Sequence, residues 1–127
     1  MKEQQKKLNT KFKMHTDNIK KQDLEIVKQL KSLLLLVFFN DIDRMLLIGS
    51  RANGTSKRES DYDIVIVLNK KNYDWQYKNK IIDTIYDFEL THNIMVDLHI
   101  ISNEELNKGQ RGIQPFFRTA LIKGIVI

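Results

Sequence analysis

Two short, strongly apolar segments, "MLLI" at 45–48 and "DIVIVL" at 63–68, enclose a polar stretch that opens on Gly49-Ser50 and closes on Asp61-x-Asp63. No other feature constrains the fold as tightly. Runs of this length and composition read as strands. The second is apolar on both faces once past its aspartate, as a strand in the middle of a sheet must be. The polar stretch therefore has to run between two buried strands, with its glycine at one end and its acids at the other.

In a strand, side chains two apart share a face. If the second strand begins by Asp61, then Asp61, Asp63, Val65 and Val67 face one way and Tyr62, Ile64, Ile66 and Leu68 the other. Two carboxylates about 7 Å apart on one face repel each other unless a positive group lies between them. A hard divalent cation such as Mg²⁺ does this well, held by one or two carboxylates together with substrate phosphates. Gly49 lets the backbone approach a ligand closely, and exposed N–H groups at the start of a helical turn favour phosphate. Ser50 adds a hydroxyl, and Arg51 beside it is expected to meet phosphate ahead of Lys57 and Arg58. Asp97 is the one carboxylate inside the apolar segment "IMVDLHII". Burial of an unpaired carboxylate is costly, so Asp97 is expected to face the same cation from a neighbouring strand and to take a proton from an attacking hydroxyl. His99 shares the face of Asp97 and is expected to be structural, while Trp75 and Phe116-Phe117 are expected in the core.

The remaining pattern supplies the cover for such a sheet. Apolar residues at three- and four-residue steps predict a helix from about Ile19 to Phe39. "NDID" at 40–43 is expected as a turn. Asn72 or Asp74 caps a helix reaching about Leu90, 94–101 forms a third strand, and Ser102 with Glu105 has capping-box spacing. Pro115 opens a last helix that Gly124 follows, and the final "IVI" adds a short strand. The expected fold class is α/β (α+β): a mixed sheet of about three to four strands flanked by helices.

Composition narrows the function classes. The chain has 127 residues and no cysteine, which excludes a disulfide scaffold or a cysteine-ligated zinc. Its longest apolar run, Leu33 to Phe39, is too short to span a bilayer. The N-terminus does not resemble a secretory signal, so a cytoplasmic protein is expected. The net charge of +5 comes wholly from residues 1–21, where seven lysines face Glu3 and Asp17. Residues 1–18 are thus expected to be a basic, flexible leader before a domain at 19–127. The body, with no net charge, argues against a dedicated nucleic-acid binder.

Gly-Ser, ten residues, Asp-x-Asp and a later Asp on another strand resemble the nucleotidyltransferase superfamily that includes DNA polymerase beta. The ungapped spacing and small size resemble its minimal nucleotidyltransferase (MNT) branch, as does the ending "PFFRTALIKGIVI", where Lys123 replaces a usual Glu. The resemblance implies transfer of AMP from ATP to a hydroxyl with release of pyrophosphate. Gly49 and Ser50 would hold the β/γ-phosphates, Asp61 and Asp63 would bind two Mg²⁺ ions, and Asp97 would bind the catalytic one. It further implies a HEPN-domain toxin as partner, adenylylated on a tyrosine. A small-molecule or RNA-end acceptor, or an antitoxin acting by contact alone, are the alternatives. The apolar first helix also makes homo-oligomerisation an expectation.

Overall fold

The computed structural model describes residues 16–127. Helix α1 (Lys21–Phe38) ends in a short 3-10 turn (Phe39–Asp41) that leads into β1 (Ile42–Ile48). Helix α2 (Gly49–Asn53) and a loop connect β1 to β2 (Tyr62–Leu68). Helix α3 (Trp75–His92) leads to β3 (Val96–Ser102), and α4 (Asn103–Lys108) and α5 (Pro115–Lys123) precede β4 (Ile125–Val126). The sheet has four strands in the order β3-β2-β1-β4. β1 is antiparallel to β2 and β4, and β2 runs parallel to β3. This is the mixed, helix-flanked sheet expected from the sequence. Of the proposed leader, residues 1–15 lie outside the described residues. Among the described residues no helix is long and apolar enough to cross a membrane.

Alternation in β2 builds both layers of the core. Ile64 through Leu68 are all fully buried. Ile64, Ile66 and Leu68 pack against α1 and α3 through Val27, Leu30, Leu34, Ile81, Ile85 and Phe88. Val65 and Val67 pack on the other face with Leu46, Ile101, Leu106, Phe117 and Ala120. β2 is therefore the central strand that its two-sided apolarity predicts.

Several local signals act as expected. The Asp74 side chain caps α3 by accepting from the Tyr77 N–H at 2.8 Å. Ser102 Oγ accepts from the Glu105 N–H at 3.0 Å and starts α4. Two differ. β1 begins at Ile42, inside the predicted turn, because Ile42 pairs with Leu68 across an irregularity in register between Ile42 and Arg44. Trp75 is not core but 69% exposed, since it is the first residue of α3 and the buried stripe is carried by Ile81, Ile85 and Phe88.

Candidate active site

Register places the acids. Across the sheet, Ile48 of β1 pairs with Asp63 of β2, and Asp63 pairs with Asp97 of β3. Neighbours in one row point to the same face, so Asp63 and Asp97 stand side by side where β1 ends and β2 and β3 begin. Their carboxyls lie within hydrogen-bond reach of each other. Burial, then the Asp97 carboxylate, then Asp61 all push the Asp63 carboxyl above its ordinary range, with His99 acting weakly in the opposite direction. Asp61 is exposed at the end of the loop, immediately before β2.

Tyr62 sets this orientation from below. It lies between the two aspartates in sequence and points to the opposite face, where it is 3% exposed. Its hydroxyl donates to Asp23 Oδ1 at 3.0 Å. Burial, followed by this bond to Asp23, pushes the Tyr62 phenol up to about 12. With Tyr62 held beneath the sheet, alternation leaves Asp63 on the upper face.

The glycine is required by the carboxylate. Gly49 has φ +76°, and a Cβ built on it would overlap Asp63 Oδ2. The Asp63 carboxylate thus occupies the space that a side chain at 49 would fill. No side-chain cap satisfies the first N–H groups of α2, among them that of Ser50. The prediction is that Gly49→Ala, strained at positive φ by about 1–2 kcal/mol, pushes Asp63 aside and lowers turnover about a hundredfold. Urea unfolding and steady-state rates on the same preparation check it; unchanged turnover would dissociate Gly49 from the site.

The structure changes three expectations. Asp97 is not buried: its side chain is 57% exposed, because β3 is an edge strand and Asp97 is its second residue. Hydration carries the carboxylate's charge, and His99 Nε2 lies 3.6 Å from Asp97 Oδ1. Phe116 and Phe117 divide: Phe117 is core, while Phe116 is 37% exposed and lies over the His99 ring, centroids 4.2 Å apart. Arg51, expected to meet phosphate, has its guanidinium committed to protein partners instead. It is 7% exposed, on the lower face, with Nη1 on Asp23 Oδ1 at 2.8 Å and Nη2 on the Ser60 carbonyl at 2.6 Å. A further bond reaches the Arg58 carbonyl at 3.2 Å, and the guanidinium stacks over the Tyr62 ring.

Asp23 is the residue that sequence reasoning missed. It is 3% exposed and gathers Arg51, Tyr62 and Ser56, the last donating from Oγ at 2.7 Å. Lys20 Nζ donates to the Ser56 carbonyl beside it. Together these bonds fasten the loop, and with it Asp61 and Asp63, to the start of α1. An aspartate in the first turn of a helix reads as ordinary dipole compensation. The one available signal was its place on the α1 stripe that also buries Val27, Leu30 and Leu34.

Among the described residues no group of three or more acid or imidazole side chains converges on one point as a ready metal cage. The contact is between Asp63 and Asp97, with Asp61 adjacent. No lysine or arginine among the described residues forms an ion pair with any of the three. An all-oxygen donor set with uncompensated negative charge fits a hard divalent cation.

A mixed sheet here presents three aspartates beside a glycine-serine turn. The family model described as polymerase beta, nucleotidyltransferase matches residues 28–111, and the chain belongs to that family. It is a nucleotidyltransferase, in a family that uses a nucleoside triphosphate and a divalent metal. It is also 32% identical over 73 residues to a protein of Methanocaldococcus jannaschii named "Putative protein adenylyltransferase MJ0141", a match covering 58% of this chain and 73% of that protein.

Proposed function

We propose that the chain transfers AMP from ATP, with Mg²⁺, to a tyrosine hydroxyl of a HEPN-domain partner and so acts as the antitoxin of a pair. The observation that carries the chemistry is the row Ile48–Asp63–Asp97, which sets two carboxylates side by side between the glycine-serine turn and an open strand. The name of the relative from Methanocaldococcus jannaschii supports a protein as acceptor.

Asp61 and Asp63 would hold two Mg²⁺ ions, with Asp97 sharing one. The metal would stabilise charge on the attacking and leaving oxygens. Gly49 and Ser50 bind the β/γ-phosphates through backbone N–H groups and the serine hydroxyl. The acceptor oxygen forms a bond to the α-phosphorus while the bond to the bridging oxygen of pyrophosphate breaks. Asp97, exposed and beside His99, takes the hydroxyl proton. Such transfer depends mostly on positioning and charge stabilisation.

The apolar end of α1 supports partner binding or homo-oligomerisation. Leu36 is 81% exposed, Val37 52% and Phe39 72%. Surface of this kind is common at interfaces, and it also suits an antitoxin that works by contact alone. The test is to incubate the protein with labelled ATP, Mg²⁺ and a co-encoded HEPN protein. Label on a partner tyrosine, lost with a Tyr→Phe partner, is expected. An unlabelled partner, neutralised equally well by Asp63→Asn protein, would leave contact as the mechanism.

A further inference from the structure

We propose that the outer edge of β3 is the acceptor's docking site, taking an extended, acidic polypeptide segment as an added strand beside Asp97. This rests on AMP transfer to a protein tyrosine as set out above.

β3 is an edge strand. The Tyr62 N–H donates to the Met95 carbonyl at 2.8 Å, so backbone groups of alternate residues from Met95 face β2. Those of Val96, Leu98 and Ile100 point outward. Exposed edges are normally blocked, and here the two ends are. The Val96 N–H donates to Glu89 Oε2 at 2.9 Å, and the Ile100 carbonyl accepts from Arg111 Nη2 at 3.0 Å and Tyr73 Oη at 3.3 Å. Between these, the Val96 carbonyl, both backbone groups of Leu98 and the Ile100 N–H have no partner among the described residues. A cavity of about 320 Å³ runs along this window, lined by Ile82, Leu98, Lys78 and Arg111.

The open groups flank Asp97. An antiparallel strand bonded to them sets one residue opposite Asp97 in a non-hydrogen-bonded pair, with Cα atoms about 4.5 Å apart. Its side chain shares the face of Asp97 and Asp63, and the row becomes Ile48, Asp63, Asp97, acceptor. Gly49 follows Ile48, so pyrophosphate and the attacking hydroxyl sit at opposite ends of that row, as an in-line displacement needs. The tyrosine oxygen bonds to the α-phosphorus, pyrophosphate leaves toward Gly49 and Ser50, and the phenolic proton passes to Asp97. Charge selects the segment. Of the charged groups that line the window, Lys78 and Arg111 outnumber Glu89, and the charge of Asp97 would be met by the bound cation, so an acidic sequence is favoured.

The experiment uses a random Glu/Tyr copolymer as probe, with a Lys/Tyr copolymer and tyrosine amide as controls. Amide exchange at Leu98 is expected to slow about tenfold with the Glu/Tyr polymer and not with the Lys/Tyr polymer. With Mg-ATP, Lys78→Glu is expected to cut AMP labelling of the Glu/Tyr polymer about tenfold at subsaturating concentration and to leave tyrosine amide labelling unchanged. Unchanged exchange at Leu98, or an equal loss with both acceptors, overturns the proposal. Protection of Leu98 with no acceptor labelled upholds the docking site and refutes the transfer to tyrosine.

Discussion

Asp63→Asn is expected to abolish nucleotidyl transfer, by about a thousandfold or more, and at the same time to raise the stability of the protein without divalent cation. The first effect follows from removing the charge that stands in contact with Asp97 and adjacent to Asp61. Charge stabilisation at the reacting phosphate is the main source of rate in such transfers, and a thousandfold loss corresponds to about 4 kcal/mol. The second follows from the raised pKa of Asp63, caused first by burial and then by its two acidic neighbours. A carboxyl whose folded pKa lies above its unfolded value binds its proton more tightly in the folded state. Its contribution therefore favours folding at low pH, and is lost as pH rises through the window between the ordinary carboxylate range and the raised value. At neutral pH the ionised group is a standing cost that asparagine removes. Thermal unfolding at pH 7 with EDTA should give the variant the higher Tm, with the gap closing as pH falls into the carboxylate range. Mg-ATP should stabilise only the wild type. A variant less stable than wild type at neutral pH would refute the electrostatic account of the site.

The second large effect lies beneath the sheet. Asp23→Ala is expected to destabilise the protein by about 3–5 kcal/mol, because it leaves the Arg51 guanidinium buried without a counter-charge. Ser56 and the Tyr62 hydroxyl lose their acceptor at the same time. Against a total stability of about 5–15 kcal/mol for a domain, this is a substantial fraction. The double variant Asp23→Leu/Arg51→Met removes both charges together and should recover much of the loss. Urea unfolding of the three proteins checks both statements. If Asp23→Ala costs no more than an ordinary surface substitution, the network does not anchor the loop.

These two residues show what kind of information is local. The face of Asp63 was legible because strand alternation has a period of two and Tyr62 is too large and apolar to share that face. The spacing from Gly49-Ser50 to Asp61 was legible because both ends are chemically distinctive. By contrast, Arg51 was read from its neighbour Ser50, yet its partner is Asp23, 28 residues earlier in the chain. Asp97 was expected on a strand neighbouring that of Asp63, and there β3 lies beside β2, but it was given the wrong burial. Its sequence neighbours are apolar, whereas its exposure is set by how far the strand projects at the edge of the sheet.

By itself, the sequence determined the mixed sheet with its central strand, the helices that cover it, and the pairing of a glycine-serine turn with three aspartates. Alternation, caps and turn residues act over a few positions, and such signals survive without tertiary context. Only the tertiary structure decided that Asp63 and Asp97 share a row, that Asp23 binds Arg51 under the loop, and that β3 leaves a window of its edge open. Each of these depends on which segments meet across the sheet, and close packing settles that choice only when the whole core is assembled.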